Sequence, residues 1–193
     1  MITVLSHFFI KDRDRMEDGS VRRAYGMLCS IVGILLNVLL FAGKYLAGVL
    51  SGSIAITADA FNNLSDAGSS FITLVGFRFS GMKADASHPF GHGRIEYISG
   101  FGVSVVIILM GVELLKTSVE KILHPEPVNA GLLPAAILAA SICVKLYMSY
   151  YNRKIGARIG SEAMKAAGVD SLSDSAATGA VLFSMAVGYF TEL

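Results

Sequence analysis

Charged residues are scarce in this sequence of 193 residues. Asp, Glu, Lys and Arg together make up 16% of it, whereas soluble domains carry about 25%. The mean hydropathy is +0.60, and the apolar residues fall in long blocks. These properties argue against a water-soluble globular domain and indicate a chain that crosses a lipid bilayer.

Cysteine is also rare, and the basic residues form no stripe. Cys29 and Cys143 each lie inside an apolar block without a CxxC pattern, so we expect small packing residues rather than a zinc knuckle or a disulfide framework. No basic stripe with interleaved aromatics is present, which argues against nucleic acid as a partner. Residues 1–25 mix charges with a short apolar run, so no cleavable signal peptide is predicted.

Five apolar blocks are long enough to cross a bilayer as helices, which takes about 20 residues each. We therefore predict an all-α, polytopic membrane protein with five transmembrane helices. Residues 1–25 would form a cytoplasmic N-terminal segment and residues 26–193 the transmembrane domain. The blocks cover roughly residues 26–50, 53–79, 97–119, 130–151 and 163–190.

Lysine and arginine are distributed unevenly between the segments that join these blocks. Most of them lie in the N-terminal segment and in the connectors at residues 80–96 and 152–162. The opposite side has few, among them Lys44 near the end of the first block. By the positive-inside rule, the N-terminus lies in the cytoplasm and the C-terminus outside. Compact loops favour a bacterial plasma membrane.

Acidic and amide side chains recur at helical spacing inside two of the blocks. Ionisable groups within a membrane span are costly and usually functional, and residues four apart share one helix face. Two pairs of oxygen ligands, one on each helix, could therefore surround a cation or bind protons. Asp59, on the same stripe, is a candidate proton or accessory site. The predicted ligands are Asn62, Asp66, Asp170 and Asp174.

A second cluster lies in the connector after the second block. Asp85, His88 and His92 fall within eight residues, and two histidines with one carboxylate can bind a metal ion. A polar loop that happens to contain two histidines is the alternative. His7 and His124 are isolated and are expected to be solvated.

The stretch SIAITADAFNNLSD at residues 53–66, followed by HPFGHGRIE at residues 88–96, resembles the cation diffusion facilitator family from about Arg22 onwards. The resemblance implies exchange of divalent metal for protons, efflux from the cytoplasm and a homodimer in the full-length form. It implies the same four membrane ligands and, in some members, the loop site. Members usually continue with a sixth span and a cytoplasmic domain, so we expect a truncated six-helix transmembrane domain.

The ligand types indicate which ion is carried. Zinc-type members place a histidine where this chain has Asp170, and oxygen ligands suit manganese better than zinc. We therefore expect transported Mn²⁺ first, then Fe²⁺ and Zn²⁺, bound as cargo and not as a cofactor, in an alternating-access antiporter that is not an enzyme. A non-transporting metal-binding membrane fragment is one alternative. An intramembrane aspartyl protease, with two aspartates sharing a proton, is another.

Overall fold

The computed structural model describes residues 2–10, 18–51, 54–85, 88–123 and 131–191. These residues form α-helices and connecting turns without a strand, which confirms the predicted all-α class. The helices are α1 (Ile2–Phe9), α2 (Gly19–Ser51), α3 (Ile54–Ser80), α4 (Ile95–Leu123), α5 (Leu132–Ile159) and α6 (Glu162–Thr191).

The helices from α2 to α6 are each long enough to cross a bilayer, since an α-helix rises about 1.5 Å per residue. Among the described residues, three are also apolar enough by composition: Gly19–Val49, Ile95–Glu113 and Leu132–Ile159. The remaining two, α3 and α6, carry the predicted ligands, and these polar residues lower their hydropathy. The chain is thus an all-α membrane protein, and the two long helices that are less apolar than this criterion requires hold the predicted ligands.

Several helix ends lie beyond the apolar blocks. The prediction of a connector at residues 152–162 is wrong, because α5 continues to Ile159 and only Gly160 and Ser161 separate it from α6. Gly160 ends the helix in the left-handed conformation, at φ 63°, which glycine adopts without strain. Hydropathy marks where lipid contact ends, whereas a helix can continue into water until a residue of this kind stops it.

The start of α2 also precedes its apolar block. Asp18 accepts hydrogen bonds of 2.7 Å from both the hydroxyl and the backbone N–H of Ser20, in the manner of a helix N-cap. The bond from the hydroxyl, and to a lesser extent that from the N–H, holds the pKa of the Asp18 carboxyl below its usual range. The basic residues that follow are therefore part of α2 itself.

A short helix, α1, precedes α2 and was not expected from the sequence. Its Ile2, together with Ile10 just beyond its end, is buried in a cluster with Tyr25, Met148 and Ile159. Ile2 and Ile10 thus cover one end of the helix bundle, whereas Phe8 and Phe9 are exposed. That residues 1–25 lie in the cytoplasm stays a prediction.

The five long helices form a closed ring. Each packs along two neighbours, in the order α2, α3, α4, α6, α5 and back to α2, while α3 and α6 also meet weakly across the ring. Gly48 lets α2 approach the backbone of Thr57 on α3, and Gly168 lets α6 approach Ser149 on α5. Small residues at such crossings are typical of helix packing in lipid.

Arg22 ties three helices together at one end of the ring. Its two terminal nitrogens donate bonds of 2.6 Å to both oxygens of Glu96 at the start of α4. Its Nε donates to the carbonyl of Ile159 at the end of α5, over 2.5 Å. A bidentate pair of this kind is strong and geometrically specific, so it fixes how α2, α4 and α5 meet.

Both cysteines and one isolated histidine lie within the described residues. Cys29 is buried in the apolar cluster, as expected of a packing residue, whereas Cys143 is exposed on α5. The expectation for Cys143 is wrong because position 143 falls on the outer side of the ring. His7 is exposed, as expected, and His124 lies outside the described residues.

Candidate functional site

Three carboxylates meet inside the ring where α3 and α6 face each other. Asp66 lies near the middle of α3, and Asp170 and Asp174 lie one turn apart on α6. One oxygen from each lies within 4.8 Å of the others. Asp66 is buried and the other two are half-buried. Carboxylates this close in low dielectric repel one another strongly, so the arrangement needs a cation or protons.

Asn62 joins the same cluster from α3, one turn before Asp66. Its Nδ2 donates a hydrogen bond of 3.1 Å to Oδ1 of Asp174. The structure therefore brings together all four residues predicted from spacing. The amide nitrogen is used in this bond, and the carbonyl oxygen of Asn62 is the atom that could bind a cation.

A lysine that the sequence analysis overlooked lies at the centre of the cluster. Lys145, from the middle of α5, places Nζ 2.5 Å from Oδ2 of Asp66 and 2.7 Å from Oδ2 of Asp174. Its side chain is only 1% exposed. A lysine in the middle of an apolar block was the available signal, since charges at that depth are usually functional.

The packing of α5 on α6 explains why Lys145 reaches the site. The hydroxyl of Ser149 donates a bond of 2.6 Å to the carbonyl of Gly168, one of the close approaches between these antiparallel helices. Moving one turn back along α5 to Lys145 corresponds to moving forward along α6 towards Asp174. The lysine and the carboxylate are therefore at the same depth.

Further buried polar groups surround the cluster without protein partners. Among the described residues, no hydrogen bond reaches Oδ1 of Asp66, Oδ1 of Asn37 or the hydroxyl of Ser141. Two contacts fix the antiparallel register of α2 and α3: Lys44 pairs with Asp59, and Gly26 packs against Phe77. In this register, Asn37 on α2 lies level with Asp66 on α3. Buried polar atoms are normally paired, so these groups are available to a ligand or to a side chain that moves.

Asp59 lies apart from the four predicted ligands. It forms an ion pair with Lys44, whose Nζ is 2.8 Å from its Oδ2. Lys44 lies near the end of the first apolar block and was expected at the outer surface. Its side chain is only 2% exposed, because the ion pair with Asp59 holds it between α2 and α3. A role for Asp59 in proton transfer stays a prediction.

The loop cluster also comes together in space. His88 Nδ1 is 3.2 Å from one oxygen of Asp85, and His92 Nε2 is 3.7 Å from the other. The two imidazole rings lie 4.4 Å apart between centroids. Gly91, at φ 77°, makes the turn that brings His92 back towards His88. The positions suit a metal site with two histidines and one carboxylate.

The fold and its buried charges define a class of protein. Long helices enclose carboxylates and a lysine at mid-depth, which is the arrangement found along ion and substrate pathways in membranes. Residues 30–193 match the cation efflux transmembrane domain. The chain therefore belongs to the cation efflux, or cation diffusion facilitator, family, which is a family of transporters and not of enzymes.

Individual relatives agree with this assignment. The chain is 31% identical over 146 residues to the manganese efflux system protein MneS of Bacillus subtilis, covering 76% of this chain and 50% of MneS. It is 29% identical over 164 residues to an uncharacterised transporter of Methanocaldococcus jannaschii, and the match covers 85% of this chain and 57% of that transporter. It is 28% identical over 169 residues to the cation-efflux pump FieF of Cronobacter sakazakii, and the match covers 86% of this chain and 56% of FieF. The chain thus spans about half the length of these curated relatives.

Proposed function

We propose that this chain carries divalent metal ions, Mn²⁺ in preference to Fe²⁺ and Zn²⁺, across the membrane in exchange for protons. The convergence of Asp66, Asp170 and Asp174 within 4.8 Å is the observation that supports it most. With the Asn62 carbonyl, these groups offer only oxygen ligands, which suit manganese. One relative, MneS, is a manganese efflux system protein, which supports the same metal.

Protons and metal compete for the same oxygens in this mechanism. Carboxylates must be deprotonated to bind a metal, so protons from the far side promote metal release. Alternating access then needs α3 and α6 to separate and close again. The weak contact between these two helices supports such a movement. The N-terminus lies in the cytoplasm, and the full-length protein works as a homodimer in a bacterial plasma membrane.

Metal uptake into proteoliposomes tests this function directly. With a pH gradient across the vesicle membrane, we expect the purified chain to move Mn²⁺ faster than Fe²⁺ or Zn²⁺. Protein-free vesicles and vesicles without a gradient are the controls. Mn²⁺ binding without flux would overturn transport by this chain and favour a metal-binding membrane fragment. Neither binding nor flux would overturn both functions.

The loop cluster is proposed as a second metal site, separate from the transport site. Replacing His92 by alanine removes one of its two nitrogen ligands, so we expect the number of Zn²⁺ ions bound per chain to fall by one. Uptake through the membrane site should remain measurable. Equilibrium dialysis against Zn²⁺ gives the stoichiometry, with the removal of the exposed His7 in His7→Ala as the control. An unchanged stoichiometry in His92→Ala would contradict a loop site.

A further inference from the structure

Lys145 occupies the position of a bridging cation between two of the proposed metal ligands. Its ammonium contacts Oδ2 of Asp66 and Oδ2 of Asp174, one from each of the helices that face each other across the ring. A metal ion bound between α3 and α6 would use oxygens of the same carboxylates. At ligand distances of about 2.0–2.2 Å for a small divalent ion, metal and ammonium would be close neighbours and would repel.

We infer that Lys145 is a tethered cation that competes with the transported metal for Asp66 and Asp174. The inference rests on the proposed function, because it concerns the same site. Metal entry displaces the ammonium from the two Oδ2 atoms, and metal exit lets it return. The lysine thus stabilises the two carboxylates when they do not hold metal, and it keeps metal binding weak enough to be reversible.

Charge balance supports this role. Metal binding requires the three carboxylates to be deprotonated, and in that form the cluster, with the Lys145 ammonium in contact with Asp66 and Asp174, carries a net charge of −2. A divalent ion neutralises this charge while the ammonium stays nearby. Without the lysine, the same three carboxylates would hold a divalent ion more tightly, since the attraction would no longer be opposed by a neighbouring positive charge.

The surroundings of Lys145 also provide a place for the displaced ammonium. Side chains of an α-helix tilt towards its N-terminus, so the Lys145 stem is directed towards the turn that contains Ser141. The Ser141 hydroxyl is fully buried and has no hydrogen-bond partner within the described ranges. A short movement along α5 would therefore exchange carboxylate contacts for a neutral acceptor without exposing the lysine to lipid.

The test compares metal affinity and transport in two lysine variants. In Lys145→Met, we expect Mn²⁺ to bind about ten-fold more tightly, which corresponds to about 1.4 kcal/mol, by isothermal titration in detergent at fixed pH. The KM for uptake should fall and the maximal rate should fall with it, because release becomes slow. Lys145→Gln keeps a hydrogen-bond donor without the charge and should have the same effects. It replaces Lys145→Met in the test if the methionine variant does not fold.

Lys44→Met is the matched control. It removes a second buried lysine, which pairs with Asp59 and, among the described residues, forms no ion pair with the four proposed ligands, so the affinity of this variant for Mn²⁺ should match that of the wild type. Folded Lys145→Met or Lys145→Gln with unchanged or weaker Mn²⁺ binding would overturn the competition by Lys145. Asp66→Asn distinguishes the competition by Lys145 from the metal site on which it rests. Unchanged Mn²⁺ binding in Asp66→Asn would refute the metal site itself.

Discussion

Asparagine in place of Asp66 is expected to abolish metal uptake, with metal binding weakened by at least about 100-fold. Even residues that only support a metal ligand contribute 10- to 100-fold in affinity, and Asp66 is a proposed ligand near the middle of α3. The substitution keeps the size of the side chain but removes its charge. Lys145 also loses one of its two carboxylates. Mn²⁺ uptake into proteoliposomes measures the effect.

A matched control separates loss of the site from loss of the fold. Glu162→Gln makes the same carboxylate-to-amide change at the exposed start of α6, where Glu162 pairs with the neighbouring Lys165 over 2.7 Å. Exposed pairs of this kind contribute at most about 1 kcal/mol, so uptake should be unchanged. Both variants should elute as the wild type does in gel filtration. Wild-type uptake by folded Asp66→Asn would show that the metal binds elsewhere.

The position of Asp66 in the site follows from local pattern, which is why it could be predicted. Residues four apart share a helix face whatever the tertiary structure, so Asn62 with Asp66 and Asp170 with Asp174 had to form two pairs. The spacing alone did not show that the two pairs face each other. The structure places Asn62 and Asp174 in hydrogen-bond contact, and the role of the four residues as metal ligands stays a prediction.

The partners of Lys145 could not be predicted from periodicity within one helix. Its position inside the fourth apolar block was visible, but its partners depend on how α5 packs between α2 and α6. The same holds for Lys44, which hydropathy placed near the end of a span and which the contact of α2 with α3 buries. The charges of Asp66, Lys145 and Asp174 within apolar blocks were informative, whereas their pairing depended on the ring arrangement of the helices.

The helix ends differ from prediction for a separate reason. The apolar blocks show how much of each helix lipid can cover, and they predicted α4 to within a few residues. They do not show how far a helix continues into water. Arg153 and Arg158 were assigned to a connector, yet they lie on the last turns of α5. The positive-inside argument depends on their side of the membrane and is unaffected by this change.

The choice of metal depends on whether the ligand set contains nitrogen. Asp170 lies on α6 one turn before Asp174, and its carboxylate oxygen is within 4.8 Å of those of Asp66 and Asp174. A histidine at this position could present a ring nitrogen to the same ion. Imidazole suits zinc, whereas carboxylate and carbonyl oxygens suit manganese. One substitution therefore changes the chemistry of the site without moving a helix.

Asp170→His is accordingly expected to shift the ratio of Zn²⁺ to Mn²⁺ uptake towards zinc by at least about ten-fold, a difference of about 1.4 kcal/mol. Uptake of both ions from an equimolar mixture, measured in the same vesicles, gives the ratio directly. Asp170→Asn is the control, because it removes the charge without adding a nitrogen ligand and should slow both ions while leaving the ratio near that of the wild type. An unchanged ratio in Asp170→His would mean that Asp170 does not contact the transported ion. A zinc shift in both variants would assign selectivity to charge rather than to ligand type.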